Sequence, residues 1–450
     1  MHSTYELTNE SVAEKSREYS LYTWSPQRRI NTIPIKKAEG CYYWNYDGKK
    51  YFDLCSQLIC VNVGHGNKAI LEAISSQAEE VAYVKPKFTT NVRGLAAEMI
   101  IKKFAPANMG KVLFALGGAE ANEYAIRLAL KATGRKKIFA QYNSYHGSTY
   151  GAAGLTAEIA RNNDIIAPGG FIHFWGPCMK DHFDGLFTSA EQADDFYLKS
   201  LEEQIRFEGA DTVAAVFLEV ISGGNGVIVS SQKYVEGVRR ICDKYGIFLV
   251  IDEVMTGFGR TGRNFAIQHY NVLPDMITFA KGVTSAYLPL GGVIVSRELS
   301  SFFDTEGIPI GCTYNSHPMC CAAAVANMSE LLNSDLVKRS EDMGELLGRQ
   351  LDELAAKHFC IKERRGIGLL QAVRMQQKYC RTSYLAWLFR RFAEAGYPTN
   401  GNDGIIIFAP PFIVTKEEVR KIISVADDIF TEFETEFPDE TGGKSNEQDC

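Results

Sequence analysis

Two residues of reactive type follow short apolar runs in the middle of the chain. The run 247–251 ends at Asp252, and the run 276–280 ends at Lys281. Continuous apolar runs of this length, rich in β-branched and aromatic residues, are typical of buried parallel strands. Because ligands of open α/β sheets collect outside the carboxyl ends of the strands, we predict that this carboxylate and this amine face one crevice.

The chemistry of the pair follows from its surroundings. A lysine amine that is partly removed from water has a lowered pKa, which is what a Schiff-base lysine requires. Asp252 could bind a metal, cap the next turn or pair with a pyridinium nitrogen. No His, Asp or Glu spacing around it favours a metal, so we predict no metal site. Taken alone, Lys281 also fits a surface lysine whose amine reaches water from a strand end.

Two glycine-containing segments could contact phosphate. The segment 117–122, GGAEAN, joins a predicted strand to a predicted helix, and its small residues would let backbone N–H groups approach a phosphate. The glycines of 257–262 satisfy the GxGxxG pattern of dinucleotide sites. Asp252 and Glu253 separate those glycines from the strand, and no helix start follows, so we interpret 257–262 as a loop. The alternative that the protein is a nicotinamide dehydrogenase is supported by these glycines alone.

An aromatic residue and a histidine follow the predicted strand 138–142. Tyr145 could stack on a flat cofactor ring or belong to the core. His146 is more often a structural histidine than a catalyst. The position after a strand end favours a place beside the same crevice.

The order of strand and helix signals predicts the fold class. The strand-like runs are 112–116, 138–142, 171–174, 213–218, 248–251, 277–280 and 293–295. Helical patterns such as 119–131 and 232–245 lie between them. This alternation, with strands that are apolar throughout, predicts an α/β fold with a mostly parallel, seven-stranded sheet covered on both faces.

The length of the chain predicts two domains. At 450 residues it exceeds the size at which a single core stops growing. We place a large domain at 65–320 and a smaller α+β domain in two pieces, an arm and hairpin at 1–64 and a block at 321–436. The block is expected to contain a helical stretch at 321–357, a strand after a glycine turn within 361–375 and a final helix opened by a Thr415–Glu418 capping box. The polar tail 437–450 is predicted to be disordered.

Composition excludes several classes of protein. The net charge of −6 gives no electrostatic footprint for nucleic acid, and no apolar run reaches the length of a membrane span. The polar N-terminus resembles neither a secretory signal nor a transit peptide. The eleven cysteines are odd in number and lack a CxxC spacing, which favours reduced thiols. We therefore predict a cytoplasmic protein.

Five motifs occur together in this sequence. They are GGAEANEYAIRLA, YHGST, IDEVMTGFGRTG, FAKGV and CTYNSHPMCCAAA. In their order and spacing the chain resembles the class III (omega) aminotransferases, which are pyridoxal phosphate enzymes of fold type I, from about residue 20 to 435. The segment AEGCYYWNYDGKKYFDLCSQLICVNVGHG looks most like the taurine and related omega-amino acid aminotransferases.

The resemblance implies a role for each motif residue. Lys281 would hold pyridoxal 5'-phosphate covalently and then move a proton between the substrate carbon and the cofactor. Asp252 would pair with the pyridine nitrogen and keep it protonated, so that the ring acts as an electron sink. Gly118 and Ala119 would give backbone donors to the phosphate.

Further residues of the same motifs would complete the cofactor site. Tyr145 and Val254 would lie on the two faces of the ring, and His146 and Glu219 beside it. Thr313 would reach the phosphate of the neighbouring subunit, which implies a homodimer with shared active sites that could associate further into a tetramer.

The sequence departs from the family pattern on the substrate side. Ser148 stands where the 4-aminobutyrate branch has an arginine, and Asn400 or Ile407 lies near the place of a second, mobile arginine. A substrate carboxylate still needs a partner, because burying it unpaired is costly. Lys85, Arg28 and Arg29 are possible substitutes for the arginines. We predict the following substrate contacts: Trp24, Leu58, Lys87 and Phe88.

The predicted function is amino transfer. The donor would be a small omega-amino acid, amine or amino-sulfonate, and the acceptor a 2-oxo acid such as pyruvate or 2-oxoglutarate, in a ping-pong cycle. The alternatives are a racemase, epimerase or decarboxylase of the same fold, the nicotinamide dehydrogenase, and a binding protein that keeps the cofactor without turnover.

Overall fold

A seven-stranded sheet forms the centre of the protein. The computed structural model describes residues 7–158 and 169–439. The strands of this sheet are β4 (Met109–Ala115), β5 (Lys137–Gln141), β6 (Phe171–Phe174), β7 (Val213–Leu218), β8 (Phe248–Asp252), β9 (Met276–Phe279) and β10 (Gly291–Ser296). Their order is β4-β10-β9-β8-β7-β5-β6, and β10 alone runs antiparallel to its neighbours. The predicted mostly parallel sheet is thus confirmed.

Helices cover both faces of the sheet because its strands are apolar on both sides. Every residue of β7 is buried. The helices of this part are Lys68–Val81, Asn91–Met99, Gly118–Thr133, Tyr150–Leu155, Ala190–Glu208, Gln232–Tyr245, Arg297–Phe302 and Pro318–Asn333. Local sequence sets their ends. Ser231, for example, accepts the Tyr234 N–H before Gln232–Tyr245, and Gly246 ends that helix at φ +60°.

The two ends of the chain pack against each other. The N-terminal part holds helix Asn9–Tyr19 and the antiparallel strands β1 (Ile35–Glu39), β2 (Tyr42–Asn45) and β3 (Lys50–Phe52). The C-terminal part holds helices Leu336–Lys357, Thr382–Glu394 and Lys416–Glu436 and strands β11 (Ile361–Ile367), β12 (Leu370–Met375) and β13 (Ile405–Phe408). The Phe52 N–H donates to Gly396 O (2.8 Å) and the Ala409 N–H to Leu54 O (2.8 Å). The domain boundaries at 64/65 and 320/321 stay a prediction.

The structure corrects two sequence expectations. The helical stretch 321–357 is divided between two helices, since Asp335 adopts φ +49° and Ser334 ends the first of them. The segment 361–375 is expected to form a strand after a glycine turn; the residues before the turn form a strand as well, so that β11 and β12 make a hairpin with Gly368 at φ +56° between them. The break at Asp335 interrupts an apolar periodicity that looks continuous in sequence. Residues 440–450 of the predicted tail lie outside the described residues.

Three further observations concern only the described ranges. No helix within 7–158 or 169–439 is both long and apolar enough to cross a membrane. The same ranges contain no group of His, Cys, Asp and Glu side chains that could hold a metal ion. Their cysteines are free thiols, most of them buried.

Candidate active site

A cavity opens at the carboxyl ends of β8 and β9. Asp252 is the last residue of β8 and pairs in parallel register with Thr278 of β9, and Lys281 begins the helical turn that follows β9. Both side chains line one cavity of about 750 Å³. The register of two neighbouring strands therefore brings the acid and the amine together.

Three donors fix the carboxylate of Asp252. Asn122 Nδ2 and His146 Nδ1 donate to Oδ2 at 2.8 and 2.7 Å, and the Val254 N–H donates to Oδ1 at 2.9 Å. Asp252 is only 7% exposed, and these bonds compensate its burial. The carboxylate is therefore fixed in a position from which it can accept a hydrogen bond from a protonated group of a ligand in the cavity.

His146 acts on the site through Asp252. Its side chain is completely buried and meets the Phe217 ring edge-on at 6.2 Å between centroids. Burial by itself lowers the pKa of His146, but the hydrogen bond and charge of Asp252 outweigh burial and raise the pKa above its usual value. The imidazole thus orients the carboxylate and supplies positive charge beside it.

Lys281 combines an activated amine with an unusual backbone. Burial lowers the pKa of its amine, against the opposing charges of Cys60 and Asp252. A lowered pKa increases the fraction of neutral, nucleophilic Nζ at neutral pH. Lys281 also adopts φ +42°, a conformation that non-glycine residues rarely take and that concentrates at functional sites.

The opposite end of the cavity suits a phosphate. Helix Gly118–Thr133 begins after Gly117 without a side-chain cap, so its first N–H groups and its dipole remain available to an anion. Gly117, Gly118 and Ala119 all line the cavity. A Cβ on Gly118 would lie 2.7 Å from Val254 Cγ1. Only glycine lets this backbone approach so closely.

We predict that Gly118→Ala weakens cofactor binding. The added methyl group must push the backbone or Val254 aside, and overpacking of this kind costs about 1–3 kcal/mol, or roughly 5- to 150-fold in affinity. Fluorescence titration of the apo-protein with pyridoxal phosphate measures the change. Adding Val254→Ala should restore part of the affinity. Gly94→Ala is the matched control, because its Cβ would meet nothing within 4 Å. Equal affinities of Gly118→Ala and Gly94→Ala would contradict the prediction.

Glu219 is tied to the segment that carries Tyr145. The N–H groups of Tyr145 and Gly223 donate to Glu219 Oε1 and Oε2 at 3.0 and 2.9 Å. Burial raises the pKa of this carboxyl. Both Tyr145 and Glu219 line the cavity, so the structure places these two predicted residues beside Asp252 and Lys281.

The neighbouring acid, Glu253, holds the loop after β8. It is fully buried, and it accepts the N–H groups of Ala266 and Ile267 (2.9 and 2.7 Å) and the Thr256 hydroxyl (2.5 Å). Burial raises its pKa from 4.5 to about 7. Glu253 therefore braces the loop whose first residues contact the cavity.

Glu253 should make stability depend on pH. Because its folded-state pKa of about 7 exceeds the value of 4.5 in the unfolded chain, Glu253 stays protonated up to a higher pH in the folded state than in the unfolded chain. Its contribution is full below the unfolded pKa and falls by about 2 to 3 kcal/mol between pH 5 and pH 8. Glu253→Gln cannot titrate, so the free energy of unfolding of wild type minus variant should fall over this interval in urea denaturation. A constant difference from pH 5 to pH 8 would contradict the shift.

The other predicted residues fall into two groups. Trp24 and Leu58 line the cavity, as do Asn400 and Ile407. By contrast, the predicted contacts Lys87, Phe88 and Thr313 are exposed and lie outside the cavity lining of this protomer. Thr313 O accepts a hydrogen bond from the Tyr83 hydroxyl (2.9 Å).

Sequence reasoning missed part of the cavity wall. These lining residues are Cys60, Glu158, Asn225, Met255, Thr284 and Asn402. Met255 lies in the IDEVMTGFGRTG motif and Cys60 in the segment that looks like the taurine aminotransferases, but neither was assigned a role. The other four come from separate loops outside the five motifs, and of these only Asn225, in a glycine-rich segment shortly after Glu219, carried a weak signal. Of the described residues that line the cavity, Lys281 is the only lysine or arginine.

The glycines of 257–262 serve packing. Gly259 and Gly262 have φ values of +97° and +83°, and a Cβ on either would press against Phe412 or Glu341. This segment is a loop without a helix start, as interpreted from the sequence. It does not present the helix N-terminus that a pyrophosphate requires.

The cavity fits pyridoxal 5'-phosphate. The uncapped start of helix Gly118–Thr133, where the Gly118 backbone lies close to Val254, suits the phosphate. The oriented carboxylate of Asp252 suits the pyridine nitrogen, and the desolvated amine of Lys281 suits covalent attachment. With a mostly parallel sheet behind it, this site defines a pyridoxal phosphate-dependent transferase of fold type I. Residues 24–430 match the family described as aminotransferase class-III. The chain belongs to this family and is a transaminase.

Known proteins resemble the chain over nearly its whole length. A taurine:2-oxoglutarate aminotransferase from Bifidobacterium kashiwanohense, solved with PLP and glutamate, is 39% identical, with a TM-score of 0.91 over 96% of this chain and 99% of that one. The putrescine–pyruvate aminotransferase of Pseudomonas aeruginosa is 30% identical over 94% of this chain and 96% of its own. An uncharacterized aminotransferase, YhxA, of Bacillus subtilis is 29% identical over 94% of this chain and 97% of its own.

The residues divide the catalytic work among them. When bound, pyridoxal phosphate supplies an electron sink that stabilises negative charge on the carbon bearing the amine. Asp252, oriented by Asn122 and His146, would hold a proton on the pyridine nitrogen. Lys281 Nζ would bind the cofactor and would take and return the proton of the substrate carbon. The N–H groups at Gly118 and Ala119 would anchor the phosphate and so keep the ring in place beside Asp252 and Lys281.

Proposed function

We propose that the protein transfers the amino group of a small omega-amino acid or amino-sulfonate such as taurine to a 2-oxo acid, pyruvate or 2-oxoglutarate, in a ping-pong cycle. The likeness to the taurine:2-oxoglutarate aminotransferase, at 39% identity over 96% of the chain, carries the choice of donor. Other relatives are named for putrescine and acetylornithine, so the donor is the part that needs an experiment.

The described cavity lining offers neutral amide groups to the anionic end of such a donor. These amides are Asn225, Asn400 and Asn402, and Ser148 stands where the 4-aminobutyrate branch has an arginine. Amide N–H groups bind sulfonate or carboxylate oxygens more weakly than a bidentate guanidinium does. Trp24 and Leu58 would complete the apolar wall beside the donor.

A donor panel tests the proposal. The holoenzyme is mixed with taurine, β-alanine, 4-aminobutyrate, putrescine or N-acetylornithine without acceptor, and the cofactor spectrum is followed. We expect taurine or β-alanine to convert one equivalent of cofactor to the pyridoxamine form and then stop, and a 2-oxo acid to reverse the change. Exclusive conversion by putrescine or N-acetylornithine would contradict the proposed donor class. Continued turnover without acceptor would instead favour the racemase or decarboxylase alternative.

We also propose that the protein is cytoplasmic and that it forms a homodimer with shared active sites. Thr313, Lys87 and Phe88 lie outside the cavity of their own protomer, and we propose that they complete the cavity of the partner. Phe88 is 56% exposed and Tyr314 54%, which is apolar surface that an interface would cover. Light scattering should give a mass near twice the 50.1 kDa of the chain. A monomer that binds the cofactor normally would contradict this arrangement.

A further inference from the structure

One side chain spans the loop that brings Trp24 to the cavity. The Tyr22 N–H donates to Gln27 Oε1 (3.0 Å), and Gln27 Nε2 donates to the carbonyls of Tyr22 (2.8 Å) and Ser25 (3.1 Å). Both N–H bonds and the oxygen of the amide are engaged with the backbone of this one loop. We call this arrangement the Gln27 clamp.

The clamp surrounds a strained residue. Trp24 has φ +62°, a value that bulky residues rarely adopt and that persists only where the surroundings fix it. Pro26 restricts Ser25 to extended conformations, so the loop has little freedom on its C-terminal side. The bonds of Gln27 close the loop on both sides of Trp24.

The loop is also anchored to the rest of the protein. The hydroxyls of Ser16 and Tyr22 lie 2.5 Å apart, which ties the loop to helix Asn9–Tyr19. At the start of that helix, Asn9 Oδ1 accepts the Tyr46 N–H (2.9 Å) from the turn between β2 and β3. The loop that carries Trp24 is thus attached to helix Asn9–Tyr19, and this helix to the turn between β2 and β3.

Trp24 lies at the mouth of the cavity. It lines the cavity and is nonetheless 62% exposed, so the indole faces both the site and the entrance. Its position follows that of the loop backbone, because the φ of Trp24 and the bonds of Gln27 fix the loop on both sides of it. A change in the loop would move the indole without touching Lys281, Asp252 or the phosphate end.

We propose that Gln27 is a positioning residue that sets donor specificity by holding Trp24 at the cavity mouth. The inference rests on the proposed contact between Trp24 and the donor. It assigns no chemical step to Gln27. The residue should therefore affect the KM of the donor and leave kcat nearly unchanged, since the reacting groups lie elsewhere in the cavity.

Kinetics with taurine and 2-oxoglutarate test the specificity role. Gln27→Met keeps the length of the side chain and removes its hydrogen bonds; Gln232→Met removes one exposed bond to Glu236 and is the matched control. We expect Gln27→Met to raise the KM of taurine about five- to tenfold with kcat within about twofold. Adding Gln27→Met to Trp24→Ala should raise KM no further. Additive effects, or an unchanged KM in Trp24→Ala, would overturn the specificity role.

Proteolysis of the apo-protein tests the clamp without any donor. Arg28 and Arg29 are exposed directly after it, so trypsin cleavage there reports opening of the loop. We expect cleavage about five- to tenfold faster in Gln27→Met than in Gln232→Met. Equal rates would overturn the clamp. If wild type rejects taurine, the proposed donor fails, the cleavage comparison still decides the clamp, and the kinetics are repeated with the donor that the panel identifies.

Discussion

Lys281→Ala is expected to lower kcat/KM for amino transfer by roughly 10⁴- to 10⁶-fold, the range found when a residue that carries covalent chemistry is removed. Two functions should be lost together, because we expect the desolvated Nζ both to hold the cofactor and to move the proton of the substrate carbon. Lys281→Arg should be about as inactive, since a guanidinium keeps the charge without becoming a nucleophile. Steady-state rates under saturating cofactor give the comparison.

Covalent trapping identifies the residue independently of rate. Borohydride treatment of the holoenzyme should fix the cofactor on the tryptic peptide that contains Lys281, and the Lys281 variants should stay unlabelled. Lys102→Ala is the matched control, because Lys102 lies on the surface in an ion pair with Glu98. Retention of more than about a tenth of wild-type kcat/KM in Lys281→Ala would refute the assignment.

Asp252→Asn should reduce kcat by roughly 10²- to 10³-fold, as expected when one preorganised charge partner of a buried site is removed. The amide keeps the size of the side chain but cannot hold a proton on the pyridine nitrogen. It also faces the His146 Nδ1 donor at 2.7 Å, which needs an acceptor. Stopped-flow measurement of the donor half-reaction isolates this step from acceptor binding.

Cofactor affinity provides the control for Asp252→Asn. Because the phosphate end at Gly118 is untouched, the Kd of pyridoxal phosphate should change much less than kcat. Asp184→Asn removes a carboxylate of the surface pair with Lys362 and should leave both quantities unchanged. Equal losses of affinity and rate in Asp252→Asn would mean that Asp252 serves binding alone.

Much of the site could be predicted from the sequence because it lies at strand ends. The runs before Asp252 and Lys281 are continuously apolar, and a parallel sheet aligns their carboxyl ends. The GGAEAN turn and the residues Tyr145 and Glu219 follow strands of the same sheet. Gly117, Gly118, Ala119 and Tyr145 line the cavity, as does Glu219, which the family resemblance rather than a local pattern indicated.

Other features depend on contacts between distant segments. Nothing around Asn122 or His146 in the sequence reveals that both donate to Asp252. The cavity wall at Asn225 and Asn402 comes from two loops far apart in the chain, and Asn225 Nδ2 donates to Asn143 O (3.1 Å). The break at Asp335 was missed because the helical pattern continues across it.

By itself, the sequence determined the fold class and placed Asp252 and Lys281 at neighbouring strand ends, because strand periodicity is a local property of the chain; the family followed from the resemblance of its five motifs. Tertiary structure alone decided what surrounds that pair. It placed three donors on Asp252, buried the amine of Lys281 and brought Trp24 to the cavity lining. The bonds of Asn122 and His146 to Asp252 join residues 130 and 106 positions apart, and no spacing in the sequence encodes such contacts.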